Sequence, residues 1–158
     1  MRSDVMRFVC FDIGDKRTGA AVGDDETCIV SPVGMIEATP EDLLIERLAS
    51  IVETHEPDEL VIGLPLNMDG THGPQAKKIA AFAERLAETV LLPIHLHDER
   101  LSSFAADEAM SQSGLTHKQK KQRRDSLAAA AILRSFLDYR SGAGAATQDH
   151  APPTVAPA

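Results

Sequence analysis

The run FVCFDI, residues 8–13, is apolar at every position but one. A strand with one wet face alternates apolar and polar residues, whereas a strand that does not alternate is covered on both faces. The run therefore predicts a central strand in a sheet flanked by other layers, which restricts the architecture more than any other part of the chain does. The exception is Asp12. Burying a carboxylate costs several kcal/mol unless something pairs with it, so Asp12 needs partners from elsewhere in the sequence.

Three strand-like segments come first. Met6 to Ile13 is the buried one, Gly14 and Gly19 bracket a turn, and TGAAVG continues as a second strand. DDET turns into a third, CIVSPVGMI, where Pro32 points to a sheet edge. Connections this short join antiparallel neighbours, so the three form a meander. The period then changes. In ATPEDLLIERLASIVETHEPDE, Thr39 suits an N-cap, Pro40 the first helical position, and Glu41 and Asp42 the first turn. Leu44, Leu48, Ile51 and Val52 follow at helical spacing until Pro57. ELVIGL reads as a fourth strand, PLNMDGTHGP as a loop, Gln75 to Val90 as a helix, and IHLH as a fifth strand. Helices over about Ser103–Ser113 and Arg123–Tyr139 complete the order, with HKQKKQRR as a basic loop between them.

The order β-β-β-α-β-α-β-α-α predicts an α/β fold, a mixed five-stranded sheet with helices on both faces. One domain over residues 1–140 accommodates it. Ser141 to Ala158 is too rich in Ala, Pro and Gly to build a core, and is expected to be a disordered tail.

The net charge of −8 argues, taken alone, against a nucleic-acid partner. Its distribution argues otherwise. Acid concentrates between Glu37 and Glu59, where Arg47 is the only Lys or Arg, and base concentrates from His117 to Arg124. No apolar run approaches the roughly 20 residues that span a bilayer, and MRSDVMRFVCFD lacks the features of a signal peptide. A cytoplasmic protein with no membrane partner is expected. Cys10 and Cys28 both stand among apolar neighbours, as buried thiols rather than a bridge.

Asp12 finds company at the ends of later elements. Asp98 and Glu99 follow the fifth strand, at the carboxyl edge where open α/β sheets build their sites. Side chains alternate along a strand, so only one of these two easily faces Asp12. Asp125, Ala129, Ile132 and Phe136 share one helix face. That face packs on the sheet and aims Asp125 inward, unless Asp125 merely complements the helix dipole. Three converging acids repel one another, and a hard divalent cation, Mg²⁺ or Mn²⁺, relieves that repulsion. Two such ions about 4 Å apart would activate water for phosphodiester cleavage.

FDIGDKRTGAAV, VIGLPLNMDGTHG, HDERLSS and RRDSLAAAAIL, in that order, resemble the successive signature segments of the YqgF/RuvX family over Met6 to Tyr139. The resemblance implies an RNase H-like fold and a nuclease, described for the family as a Holliday-junction resolvase or as acting on the 5′ end of pre-16S rRNA. Asp12, Glu99 and Asp125 would be its catalytic, metal-binding acids, with Asp98 the alternative to Glu99. The fourth strand ends in GLPLN and offers no acid, unlike that of the classical resolvases. The implied partner is nucleic acid, precursor rRNA ahead of branched DNA, and the protein would act as a monomer or homodimer.

Other residues have two readings each. Lys16 and Arg17 contact phosphate or pair with Asp15 or Asp24. Asn67 binds a phosphate or fixes its own loop, and Arg100 pairs with an acid or touches substrate. Lys118, Lys120, Lys121, Arg123 and Arg124 guide the substrate backbone or form a solvated charged loop. His95 and His97 suggest zinc, but no thiolates accompany them. His72 reads as a surface residue, and Ser102 and Ser103 as an N-cap. Two other functions compete with the nuclease. An ATP-binding protein of the actin and sugar-kinase type shares the DIGDKRTG pattern, but it needs a second lobe. A non-catalytic RNA-binding assembly factor would keep the fold without cleavage.

Overall fold

The computed structural model describes residues 5–37, 39–101, 117–142 and 154–155. β1 (Arg7–Ile13), β2 (Arg17–Asp24) and β3 (Val30–Glu37) form the antiparallel meander. α1 (Glu41–His55) carries the chain to β4 (Glu59–Leu64), which lies parallel beside β1. α2 (Pro74–Val90) leads in the same way to β5 (Ile94–Asp98), parallel beside β4. A 3₁₀ turn over Glu99–Leu101 follows, and α3 (His117–Arg140) packs across β1, β2 and β3.

The pleat of β1 divides the core. Val9 and Phe11 point to α1 and α2, where Leu48, Ile79 and Leu86 meet Ile62 and Leu96. Phe8 and Cys10 point to α3, against Ala129, Ile132, Leu133 and Phe136. Residues 8 to 11 are at most 1% exposed, so β1 is covered on both faces as its composition requires. Each such large side chain removed from water contributes about 1.5–3 kcal/mol. Asp12 continues the even-numbered series and therefore lies on the α3 face.

At one edge, Pro32 of β3 sits opposite Ala21, where the β2–β3 register shifts. A bulge on an edge strand tolerates the missing amide donor. The other edge differs from expectation. Thr154–Val155 forms β6, antiparallel to β5 with Val155 opposite Ile94, so the sheet has six strands in the order β3-β2-β1-β4-β5-β6. An uncovered β5 would leave a row of backbone groups unpaired, and two β-branched residues suffice to cover part of it.

Three further details depart from the sequence reading. α3 begins at His117, so the basic stretch expected as a loop is helical; Lys, Gln and Arg are good helix formers, and no Gly or Pro follows Gly114 in that stretch. The N-cap of α1 is Pro40, without a side-chain cap bond, in place of Thr39. Cys28 is exposed in the turn after β2 at φ 56°, and only Cys10 is buried. The helix expected near 103–113 and tail residues 143–153 and 156–158 lie outside the described residues.

Candidate active site

The turn after Asp12 is closed by Gly14, whose amide donates to Arg17 O at 2.9 Å. A Cβ at position 14 would lie 2.9 Å from that same oxygen, so a side chain there would open the turn. The turn carries Lys16, which is exposed, and leads into Arg17 at the start of β2. Arg17 Nε lies 3.8 Å from Glu37 Oε2 on the neighbouring strand, whereas Asp24 accepts from Thr27 N at 2.7 Å.

β5 sorts its polar residues by face. Ile94 and Leu96 join the α1/α2 core. His95 and His97 face α3, with ring centroids 5.0 and 5.9 Å from that of Phe136. Glu99, in the 3₁₀ turn, continues on this second face, and a hydrogen bond joins its carboxyl group to that of Asp12. Two carboxyl groups so bonded must share a proton or a cation. Burial raises the pKa of Glu99, the Asp12 hydrogen bond opposes the rise, and the Asp98 charge adds to it. Beneath them the Cys10 thiol is pushed up by burial first, then by the charges of Asp12 and Glu99.

For Glu99 to reach Asp12 it must cross β4, which separates β5 from β1. Gly63 lies under the crossing, and what its missing side chain makes room for is Ile132. A Cβ there would lie 2.7 Å from Ile132 Cδ1 and 3.7 Å from Glu99 Cγ. Gly63 was not among the residues singled out from sequence. The signal was present, since a glycine inside a buried strand marks a close approach.

Asp98 has other commitments. Only 8% exposed, it accepts from Arg100 N and Nε, both at 3.0 Å, and from Arg100 Nη2 at 2.7 Å. Burial alone would raise its pKa; the hydrogen bonds and charge of Arg100 bring it below the usual carboxylate value. Arg100 Nη1 also donates to Asn67 O and Met68 O at 3.1 and 3.0 Å, tying the end of β5 to the loop after β4. Asn67 is bonded within that loop, its Nδ2 donating to Thr71 Oγ1 and its amide to Thr71 O. Structural partners thus account for both Arg100 and Asn67.

The histidines are also engaged. His95 sits between Glu59 Oε1 and Thr154 Oγ1, each at 3.0 Å. His97 Nε2 pairs with Ser135 Oγ at 2.8 Å, and burial lowers its pKa to about 4. His72 is exposed. Among the described residues no three His, Cys, Asp or Glu are placed to hold a metal ion. Asp125, Lys118, Lys120, Lys121, Arg123 and Arg124 belong to the first turns of α3. Their side chains lie outside the described residues. Along the helix, Asp125 precedes buried Ala129 by one turn.

Known proteins resemble this chain in sequence and in fold. The family profile described as RuvX: Holliday junction resolvase matches residues 6–139. A Maridesulfovibrio salexigens protein named "Putative pre-16S rRNA nuclease" is 38% identical over 132 residues, 84% of this chain and 98% of its own length. A protein of the same name from Roseiflexus sp. is 35% identical over 138 residues, 87% of this chain and 98% of the relative. Among solved structures, Thermus thermophilus RuvC in complex with Holliday junction substrate superposes with a TM-score of 0.54 at 11% identity, covering 87% of this chain and 96% of that one. The Fowlpox virus resolvase, in its complex with Holliday junction DNA, gives 0.55 at 12% identity, over 85% and 99% of the two chains. The last two likenesses establish the RNase H-like resolvase fold, and the profile and the relatives together establish that this chain belongs to the RuvX/YqgF family.

Proposed function

We propose that the chain is a divalent-metal-dependent endonuclease whose substrate is structured RNA, the 5′ end of precursor 16S rRNA. The observation that carries the reading is the Asp12–Glu99 carboxyl pair, brought together across Gly63 at the carboxyl edge of the sheet. The pair fits a hard divalent cation, because both donors are carboxylate oxygens and a cation replaces the proton they otherwise share. Asp12 and Glu99 would hold Mg²⁺ or Mn²⁺, with Asp125 the third acid. Bound there, the ion supplies an activated water and charge stabilisation at the phosphoryl oxygens.

The chain's own residues do the rest. Ile132 and Cys10, both buried in the apolar core, lie next to the pair, which keeps its charge concentrated on the open side. The Asp98–Arg100 clamp fixes the backbone on which Glu99 stands. Lys16 and Arg17 on the β1–β2 turn, and Lys118 to Arg124 at the start of α3, bind the phosphate backbone on either side and position the strand without reading its bases. The domain acts as a monomer or homodimer in the cytoplasm; among the described residues no helix is long and apolar enough to cross a membrane.

RNA is preferred to four-way DNA because relatives 35–38% identical carry the pre-16S rRNA name. The family profile's own description motivates the DNA alternative. The test is a cleavage assay in Mn²⁺ with precursor 16S leader RNA, an unstructured RNA and a four-way DNA junction. Cleavage near the mature 5′ end, absent under chelation, is expected. Cleavage of the junction alone would replace the RNA reading, and RNA binding without cleavage of any substrate would make the protein an assembly factor.

A further inference from the structure

A cleft of about 390 Å³ opens on the opposite face of the sheet from the acids, at the same edge. Its floor is apolar, made of Ile13, Leu44, Ile79 and Phe82, all part of the α1/α2 core or packed against it. Gly14 and Asp15 form one wall, so the cleft begins two residues beyond Asp12, about 7 Å along an extended chain. The rim is polar. Lys78 is exposed on one side, and Thr39 lines the cleft with its Oγ1 buried and without a hydrogen-bond partner among the described residues. Clefts that take small organic groups measure about 300–1,000 Å³, with apolar walls and a few orienting polar atoms. Thr39 does not cap α1, so capping leaves its hydroxyl unexplained.

We propose that this cleft receives an unpaired nucleobase of the substrate strand, one step from the phosphate held at the acids. The inference rests on the nuclease reading and adds a preference to it. A strand crossing the end of β1 with its phosphate at Asp12 passes over the β1–β2 turn and meets the cleft next. Lys78 contacts the following phosphate, the flat base lies on the apolar floor, and the Thr39 hydroxyl bonds to its edge. Single-stranded RNA offers such splayed bases, whereas a fully paired stem does not. The site therefore favours substrates whose paired region ends beside the scissile bond, as at the base of a processed stem.

The test compares two RNA hairpins bound by the whole chain in the absence of divalent metal. One carries a short single-stranded 5′ flank, and the other has the same flank with abasic residues. Wild type should bind the first about tenfold more tightly, as expected for one stacked base. Ala81→Trp, at an exposed position in the cleft wall, should erase that preference while leaving affinity for the abasic hairpin, and Mn²⁺-dependent cleavage of it, unchanged. Ala81→Leu serves as a milder plug if the tryptophan variant misfolds. Equal binding of the two hairpins by wild type, or a preference that survives both plugs, overturns the proposal. Free AMP binding more tightly than the flanked hairpin overturns it in favour of a nucleotide ligand. A flank preference without metal-dependent cleavage would sustain the base site and sink the nuclease reading alone.

Discussion

Replacing His97 with glutamine removes a titration that burial has displaced. The ring is 1% exposed, its Nε2 pairs with Ser135 Oγ at 2.8 Å, and burial lowers its pKa from 6.5 to about 4 against the opposing pull of Asp98. Between those two values the unfolded chain binds a proton that the folded chain refuses, so stability falls as pH drops through the window. The whole gap corresponds to about 3 kcal/mol at ~1.4 kcal/mol per tenfold. About 2 kcal/mol of this is already lost near pH ~5. Glutamine keeps an amide for Ser135 and does not titrate here. Other groups contribute alike to both proteins, so the difference between them isolates the ring. Urea unfolding across this range should show His97→Gln less stable by about 1–2 kcal/mol at neutral pH, from imperfect packing, and equal or more stable near pH ~5. Parallel curves would refute the argument, since they would mean that the folded chain protonates His97 as easily as the unfolded one.

The two neighbouring acids should fail in different ways. Glu99→Gln should abolish cleavage with stability kept or raised, because it relieves the repulsion between carboxyl groups, whereas Asp98→Asn should lower the melting temperature by weakening the Arg100 clamp; the reverse pattern in a paired melting and cleavage assay would exchange their roles. Gly63→Ala should cost about 1–3 kcal/mol in a urea melt, because buried Ile132 must give way to the added methyl; an unchanged melt would show that the core makes room for it. Neutralising Lys118, Lys120, Lys121, Arg123 and Arg124 should weaken RNA binding regardless of sequence and flatten its salt dependence by roughly 0.7–0.9 for every phosphate no longer neutralised; an unchanged slope would leave them as surface charge. Truncation after residue 142 should cost about 1 kcal/mol, the worth of a ladder hydrogen bond, and promote aggregation through the uncovered β5 edge; light scattering and thermal melting test both, and loss of folding would show that the tail belongs to the domain.

How far the sequence could be read depended on the range of the interaction. The meander, the two crossovers and the central place of β1 follow from local periodicity, since FVCFDI cannot be a half-wet strand. The position of Asp12 at the carboxyl edge followed with them. The choice between Asp98 and Glu99 did not, because pleat alone allows either until one knows that Ile94 and Leu96 face α1 and α2. The crossing at Gly63 needed the strand order β1-β4-β5, which no spacing reveals. β6 was invisible for a related reason. Two β-branched residues in a tail averaged as coil pair with a strand about 60 positions earlier, and only the β5 edge makes them a strand. The basic stretch before Asp125 reads as a loop by its charge, yet the helix propensity of its Lys, Gln and Arg residues prevails.

If Asp12 and Glu99 form the proposed metal-dependent phosphodiesterase site, cleavage requires both a divalent ion and the Asp12 carboxylate. The most direct measurement is cleavage of precursor 16S leader RNA, in Mn²⁺, by wild type and Asp12→Asn side by side, with RNA binding recorded for both. Wild type should cleave only with the metal, and Asp12→Asn should not cleave at all while binding RNA with undiminished affinity. Cleavage by the variant at the wild-type rate would contradict the proposed site.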